Sequence, residues 1–389
     1  MIFEVPNAHP GCNVADVERE AVYASGIPAS RVANGLSDSG GRIRHLHAFR
    51  GFAILNIVLV HAFSSILKAN LGHGDPSPAA KWIRISNEVL FHGSTIYFAL
   101  ISGLLFTIAL RRRGWPRFFR NKLTNVIAPY AVMSLLFTLV EWFLDYRAAP
   151  AGNPPAALPG SYLSSLLHGT AQSSYWYIPV IVALFAATPL LDSLLTGRYA
   201  GIGIAAVASL PLFMSRAGVE VTAGTVIYFA GVYAFGMFLG EGYAATMARL
   251  RQWRGALAGV AATSTVALTV LFAEDIEMIG WVSLRESLFY IQKLSISGLL
   301  LYSMQQGENR LPRMLDQLAT HAFSIYFLHL FVIKALTHFY ARALPPPHDG
   351  GLIVALSLLL CGSTLALSWL ISKAVQVACG RHSKWLIGA

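Results

Sequence analysis

The sequence predicts an all-α, polytopic membrane protein with about ten transmembrane helices, and its composition carries this prediction. Only 12% of its 389 residues are charged, whereas 55% are hydrophobic. A soluble globular domain has about a quarter of its residues as Asp, Glu, Lys or Arg. Half that fraction of charged residues cannot cover the surface of a water-exposed protein of this size, so lipid must cover much of the surface. An ordinary soluble protein is therefore excluded.

A helix needs about 20 mostly apolar residues to cross a bilayer, and runs near that length divide the chain into ten candidate spans. They lie near residues 48–67, 93–110, 126–145, 176–195, 199–214, 224–243, 254–273, 285–304, 318–340 and 351–374. The fifth span is short, and its boundary with the fourth, at Thr196-Gly197-Arg198, is the weakest. Merging these two would give nine spans and reverse the orientation of every later span. The longest connectors, 68–92 and 146–175, are predicted on the outer side.

The distribution of positive charge favours ten spans with both termini in the cytoplasm. The formal net charge is +10, and with the N-terminus inside, 20 of the 29 Lys and Arg residues fall on the cytoplasmic side and 8 on the other. Short cytoplasmic loops collect Lys and Arg. The surplus charge thus reflects membrane topology and not a surface for nucleic acid.

The chain divides into three parts. Residues 1–41 are polar and contain no signal peptide, so we expect a cytoplasmic tail that is disordered or forms at most one short surface helix. Residues 42–378 form the ten-helix membrane domain, and residues 379–389 a short cytoplasmic tail. The three cysteines are widely spaced and match no metal-ligand pattern. We therefore expect no metal site and no structural disulfide.

The most informative polar pair lies in the first span, where Arg50 is followed eleven positions later by His61. Eleven residues are about three helical turns, so both side chains share one face, roughly 16 Å apart along the axis. Ionisable groups at membrane depth are costly and often functional. The alternative is that His61 bonds a neighbouring helix while Arg50 extends to lipid phosphates.

Two later spans also carry buried polar residues. The ninth span places His329, three residues after Tyr326, at roughly the depth of His61. The eighth span holds Lys293 near its middle, and an isolated positive charge there needs a partner or a water-filled cavity beside it.

The segment 111–122, between the second and third spans, holds six positive charges in twelve residues. One explanation is topology and contact with lipid headgroups. The other is a cytoplasmic site for a polyanion, since Arg and Lys side chains both suit phosphates. The residues that would form this site are Arg111, Arg112, Arg113, Arg120 and Lys122.

Four other residues are candidates for substrate contact, each with a structural alternative. Ser102 precedes Gly103, and such small pairs usually let helices pack closely. Glu141 approaches the outer face, where water can reach it. Trp176 and Tyr177 begin the fourth span at the predicted outer boundary, where aromatic residues usually anchor the helix at the membrane interface.

In their order along the chain, several of these segments resemble the integral-membrane acyltransferase-3 family. The spacing of Arg50 and His61 matches the family hallmark, an Arg followed after ten residues by His. The further similar segments are Tyr97–Gly103, Arg120–Lys122 with Pro129, Ser173–Tyr177 and Ser324–His329. The sequence departs from the family at His47, where an Asp is common, at Ala99 in place of Phe, and at Lys122 in place of Arg.

The resemblance implies a membrane O-acyltransferase, commonly an acetyltransferase, that uses a cytoplasmic acyl-CoA as co-substrate and no tightly bound cofactor. The acceptor would be a hydroxyl of an extracytoplasmic carbohydrate, glycolipid or small molecule. His61, with Arg50, would act as general base or as transient acyl carrier, and the basic segment would bind the donor. Candidate substrate contacts are Ser102, Glu141, Trp176, Tyr177, Lys293, Tyr326 and His329.

The competing interpretation is a membrane transporter or exporter, because buried His and Lys residues also build proton relays. Many transporters show two paired halves with broken helices, and neither feature is evident in the sequence.

Overall fold

The protein is described here by a computed structural model, which covers residues 43–71, 77–148, 157–197, 200–214, 216, 220–280, 282–343 and 349–388. The tail predicted for residues 1–41 lies outside these residues. Across the described ranges, the regular structure is helical apart from one small antiparallel hairpin, β1 (Met278–Ile279) with β2 (Val282–Ser283). The all-α fold class is confirmed.

The helices alternate between long apolar segments and short connecting ones. In chain order the α-helices are α1 (Arg44–Leu71), α2 (Pro78–Phe91), α3 (Thr95–Leu105), α4 (Trp115–Lys122), α5 (Ala128–Ala148), α6 (Leu158–His168), α7 (Tyr177–Thr196), α8 (Ala200–Ser209), α9 (Ala223–Glu241), α10 (Tyr243–Ala273), α11 (Leu284–Gln306), α12 (Arg313–Thr320), α13 (Ala322–Ala343), α14 (Gly350–Cys379) and α15 (Ser383–Ile387).

Within the described residues, eight helical segments are long and apolar enough to cross a membrane, and they coincide with eight of the ten predicted spans. The fifth predicted span is shorter, because α8 gives way to a 3-10 turn at Leu210–Leu212, which contains Pro211. The eighth predicted span corresponds to α11, a 23-residue helix that carries Arg285, Glu286 and Lys293 and is not among these eight segments. The chain is therefore a polytopic membrane protein.

The segment 68–92, predicted as an outer connector, contains the helix α2. Its start follows from the sequence: the Ser77 side chain accepts a hydrogen bond from the amide of Ala80, and Pro78 occupies the first turn. After α2 the chain turns at Gly93, whose φ of +72° favours glycine, and continues into α3. The second predicted span is thus the C-terminal part of a longer, interrupted helical segment, Pro78–Arg113.

The basic segment, residues 111–122, is also largely helical. The π-helical turn Phe106–Leu110 follows α3, and Leu123–Ile127 is a second π-helical turn that leads from α4 into α5. Between them, Arg111–Arg113 form a 3-10 turn that ends at Gly114, where φ is +78°. The α4 helix is anchored by Phe118, which is buried.

Glycines allow α3 and α9 to pack with their backbones in contact. A Cβ atom on Gly103 would lie 2.1 Å from the carbonyl oxygen of Tyr233, and one on Gly236 would lie 2.1 Å from that of Leu100. Small residues at helix contacts permit this close approach in membrane proteins. The Ser102-Gly103 pair therefore includes a packing position.

The predicted C-terminal tail folds back onto the membrane domain as far as it is described. After α14, the chain turns at Gly380 and forms α15, which packs against α5. Ile387 is buried in the main hydrophobic core. Gly388 lies beside α13, where an added Cβ atom would be 3.0 Å from the Cβ of Phe323.

Candidate active site

Two histidines from distant parts of the chain meet where α1 packs against α13. The ring centroids of His61 and His329 are 5.2 Å apart, with the ring planes inclined by 42°. The side chain of His61 is half-buried, and that of His329 is fully buried. The structure thus brings together the two histidines that the sequence places at a similar depth.

The backbone determines which nitrogen of His329 carries the proton. Its Nδ1 lies 2.7 Å from the carbonyl oxygen of Tyr326 and 3.2 Å from that of Ile325. Because a carbonyl oxygen only accepts, Nδ1–H must be the donor. In the neutral ring, Nε2 then holds the free lone pair. This Nε2 is buried and has no hydrogen-bond partner among the described residues.

The side chains of Tyr326 and Tyr175 each donate a hydrogen bond to a backbone carbonyl oxygen across the contact between α13 and the turn 169–176. Its hydroxyl donates a hydrogen bond to the carbonyl oxygen of Ser174, and the hydroxyl of Tyr175 donates one of 2.8 Å to the carbonyl oxygen of Phe327. The rings of Tyr175 and Tyr326 also stack, with centroids 6.4 Å apart. These contacts hold α13 against the turn 169–176, and they occupy the Tyr326 hydroxyl that we considered for substrate contact.

Trp176 and Tyr177 are buried within the protein, at the end of the turn 169–176. Gly169 enables this turn, because its φ is +66° and an added Cβ atom would lie 2.5 Å from the Cα of Trp176. Both aromatic rings pack against Phe229. They are therefore core residues rather than anchors facing lipid. The Tyr177 hydroxyl is buried without a hydrogen-bond partner in the described part of the chain.

Arg50 and Lys122 lie on the side of the domain that we predict to be cytoplasmic. The guanidinium of Arg50 lies 5.2 Å from the ring centroid of Phe323, and the ammonium of Lys122 lies 4.0 Å from that of Phe185. Such contacts stabilise a positive charge on an aromatic face. The positive charges of Lys122 and Arg50 are also close enough to repel each other. The end of the basic segment and the start of the Arg50–His61 face are therefore neighbours.

The arginines of the basic segment differ in what they contact. Arg111 forms ion pairs with Asp192, at 2.9 Å, and with Glu241, so it ties the 3-10 turn Arg111–Arg113 to α7 and α9. Arg112, Arg113 and Arg120 are exposed. A phosphate ligand could reach these three without breaking an ion pair that the structure contains.

Lys293 has a structural partner. Its ammonium donates hydrogen bonds to the carbonyl oxygens of Leu90, at 2.8 Å, and Val89, at 3.4 Å, in the last turn of α2. The last carbonyls of a helix lack intrahelical partners and carry partial negative charge. Lys293 therefore caps α2, which explains a fully buried positive charge on α11.

The structure does not bring the two remaining candidates to the histidines. Ser102 is half-buried on α3 beside the Gly103 packing position. Glu141 is exposed on α5. In the described ranges, neither side chain forms a hydrogen bond or ion pair with His61 or His329.

A polar network near the end of α2 was missed at the level of sequence. His92 Nδ1 lies 3.1 Å from Glu88 Oε2, and the Arg216 guanidinium lies 2.8 Å from both His92 Nε2 and Glu286 Oε2. Burial is the largest single influence and acts to lower the pKa of Arg216, but the surrounding groups, with the Glu286 carboxylate first among them, together outweigh burial and raise it. The spacing of Glu88 and His92, four residues apart on a helix, is the one signal that could have revealed part of it.

The residues that the structure describes contain no group of three or more His, Cys, Asp or Glu side chains placed to hold a metal ion.

The fold and the site define a multispanning membrane protein with a pair of histidines inside its helical domain and a basic segment at one end. Residues 43–373 match the family model of the acyltransferase-3 acyltransferase domain, so the chain belongs to the acyltransferase-3 family and has the acyltransferase activity that this domain implies. Neither the curated proteins nor the solved structures contain a match.

Proposed function

We propose that the protein is a membrane O-acyltransferase that moves an acetyl group from cytoplasmic acetyl-CoA to a hydroxyl group on the other side of the membrane. The acceptor class is an extracytoplasmic carbohydrate, glycolipid or small molecule. The observation that carries this proposal is the contact between His61 and His329, whose rings lie 5.2 Å apart inside the membrane domain.

The basic segment supports a phosphorylated donor. Coenzyme A carries several negative phosphate charges, and Arg112, Arg113 and Arg120 expose guanidinium groups that suit phosphate oxygens. Lys122 extends the positive region to Arg50. A donor bound here could direct its long thioester arm along the shared face of Arg50 and His61, which are roughly 16 Å apart along α1.

His61 is the proposed reacting residue. A neutral imidazole at this position could remove the proton of the acceptor hydroxyl as general base. It could instead attack the thioester and carry the acetyl group for a time as an acyl-imidazole. Ring contact with His329 and a half-buried position are compatible with either role.

The proposed orientation places both termini and the basic segment in the cytoplasm of a bacterium, with the domain in the inner membrane. It rests on the excess of Lys and Arg in the segments assigned to that side. The acceptor would then approach from the side of α2 and the turn 169–176.

The test is transfer of labelled acetyl groups from acetyl-CoA in membranes that contain the wild-type protein or His61→Ala. We expect the wild type to label an acceptor and the variant to lose this activity at equal protein levels. The matched control is His338→Gln, which changes an exposed histidine on α13 and should keep wild-type activity. Full activity of His61→Ala would remove His61 from the chemistry.

A further inference from the structure

The hydrogen bonds of His329 fix its tautomer, and this leaves Nε2 able to accept a proton. Its Nδ1–H is bound to backbone carbonyl oxygens of its own helix, so the position of the proton does not depend on a ligand. Its Nε2 is fully buried and unpartnered among the described residues. A buried polar atom without a partner carries a cost in free energy and calls for an explanation. In the neutral ring this atom can accept a proton and cannot donate one.

His61 differs from His329 in its burial and in its hydrogen bonding. Its side chain is half-buried, and no hydrogen bond within the described ranges fixes either ring nitrogen. It also lies on the face of α1 that it shares with Arg50, on the side from which the donor arrives in the proposed function. His61 is thus the more adaptable of the two rings and the one aligned with the donor.

One imidazole cannot carry out both halves of an acyl transfer that passes through an acyl-enzyme. A nitrogen that is bonded to the acetyl group has lost the lone pair that it would need as a base. A second base must then activate the acceptor. The centroid distance of 5.2 Å puts such a base in ring contact with His61.

We propose that His329 is a second catalytic residue and that Nε2 takes the proton of the acceptor hydroxyl while His61 carries the acetyl group; this division rests on the proposed function. In the first half, a His61 nitrogen attacks the thioester carbonyl and the carbon–sulfur bond breaks. The proton on the other nitrogen of His61 goes to the departing thiolate. The products are free coenzyme A and a neutral acetyl-imidazole.

In the second half, the acceptor oxygen attacks the acetyl carbon while its proton moves to His329 Nε2. The bond between the acetyl carbon and the His61 nitrogen breaks, and the electron pair remains on that nitrogen. His329 then gives the proton from Nε2 to the imidazolate of His61, and both rings are neutral again. The net reaction consumes one thioester and one hydroxyl and forms one ester and one thiol.

The experiment separates the two halves in membranes of the source cell that contain the full chain. The donor half is measured as exchange of labelled coenzyme A into unlabelled acetyl-CoA, without added acceptor. The complete reaction is measured as transfer of labelled acetyl groups into the lipid and glycan fraction. The variants are His61→Ala, His329→Gln and the control His338→Gln, all compared at equal protein levels.

We expect His329→Gln to lose about 10²- to 10⁴-fold in complete transfer, the usual contribution of a general base, and to keep donor exchange within about threefold of wild type. His61→Ala should lose both activities. Loss of exchange in His329→Gln, full transfer in His329→Gln, or a wild type that transfers without exchange would each overturn the division. A wild type with neither activity would contradict the proposed function itself.

Discussion

The ammonium of Lys293, near the middle of α11, donates a hydrogen bond of 2.8 Å to the carbonyl oxygen of Leu90 at the end of α2. A second bond joins the same ammonium to the carbonyl oxygen of Val89. The buried charge thus belongs to the junction where α2 ends and the chain turns toward α3. It organises the backbone around the interruption at residues 92–94.

Replacing Lys293 by Met should destabilise the protein by about 1–3 kcal/mol, because two carbonyl oxygens at the end of α2, of which that of Val89 is buried, would lose their donor. Thermal unfolding in detergent measures this change. The control is Lys334→Met, at an exposed position on α13, which should unfold at nearly the wild-type temperature. Equal stability of both variants would show that α2 does not depend on this cap.

Gly236→Ala should destabilise the protein by about 1–3 kcal/mol or more, because the new methyl group would overlap the carbonyl oxygen of Leu100. Gly259→Ala provides the opposite case, since no atom lies within 4 Å of its added Cβ in α10. That change should leave stability unchanged or raise it by about 0.5–1 kcal/mol. Unfolding temperatures in detergent compare the two, and a harmless Gly236→Ala would contradict the close packing of α3 and α9.

The arginines of the basic segment should separate into two functional classes. Arg111→Ala removes the partner of Asp192 and Glu241, so its main effect should be lower thermal stability. The double variant Arg112→Ala/Arg113→Ala should fold normally and raise the KM for acetyl-CoA, with little change in kcat. Steady-state kinetics at several salt concentrations measures this, since salt screens such charges. An unchanged KM would argue against donor binding by these residues.

Glu308 should contribute a modest acid-sensitive component to stability. A hydrogen bond from His45 is the main cause that lowers the pKa of Glu308, although partial burial opposes it. A carboxylate with a lowered pKa stabilises the fold above its unfolded pKa of about 4.3, and this stabilisation is lost as the pH falls through the folded pKa.

Unfolding temperatures between pH 6 and pH 3.5 test this contribution. The wild type should lose more stability toward acid than Glu308→Gln, and the difference between them should shrink as the pH falls. The effect should be small because Glu308 is partly exposed. Parallel acid profiles would show that the contact with His45 does not stabilise the folded state.

Local sequence patterns predict much of this fold, because membrane helices follow from the length of an apolar run. The similar depth of His61 and His329 could also be predicted from the sequence, since counting residues along two helices gives their depths. The cap on Lys293 was not, because its partners are backbone carbonyl oxygens, which leave no mark in the side-chain sequence. Arg216 likewise depends on Glu286, seventy residues later, which α11 brings to it.

The segments 68–92 and 146–175 show a second limit of prediction from the sequence. Both were predicted as outer connectors because they contain Pro, Gly and charge, yet each holds a helix, α2 or α6. Their apolar faces are short and find partners only in the folded domain. The buried turn after α6 depends on Gly169 and on hydrogen bonds from Tyr175 and Tyr326, which tertiary structure alone reveals.

A π-helical turn lies on either side of the basic segment, so the number of residues in these two turns determines which way the segment's side chains face. A π-helical turn accommodates about one more residue than an α-helical turn, and each residue of an α-helix advances the direction of the side chains by roughly 100°. Deleting one residue from Phe106–Leu110 would therefore rotate α4 and its arginines relative to α3, even if every positive charge remained. Insertions and deletions here should be tolerated far less well than exchanges of Arg for Lys.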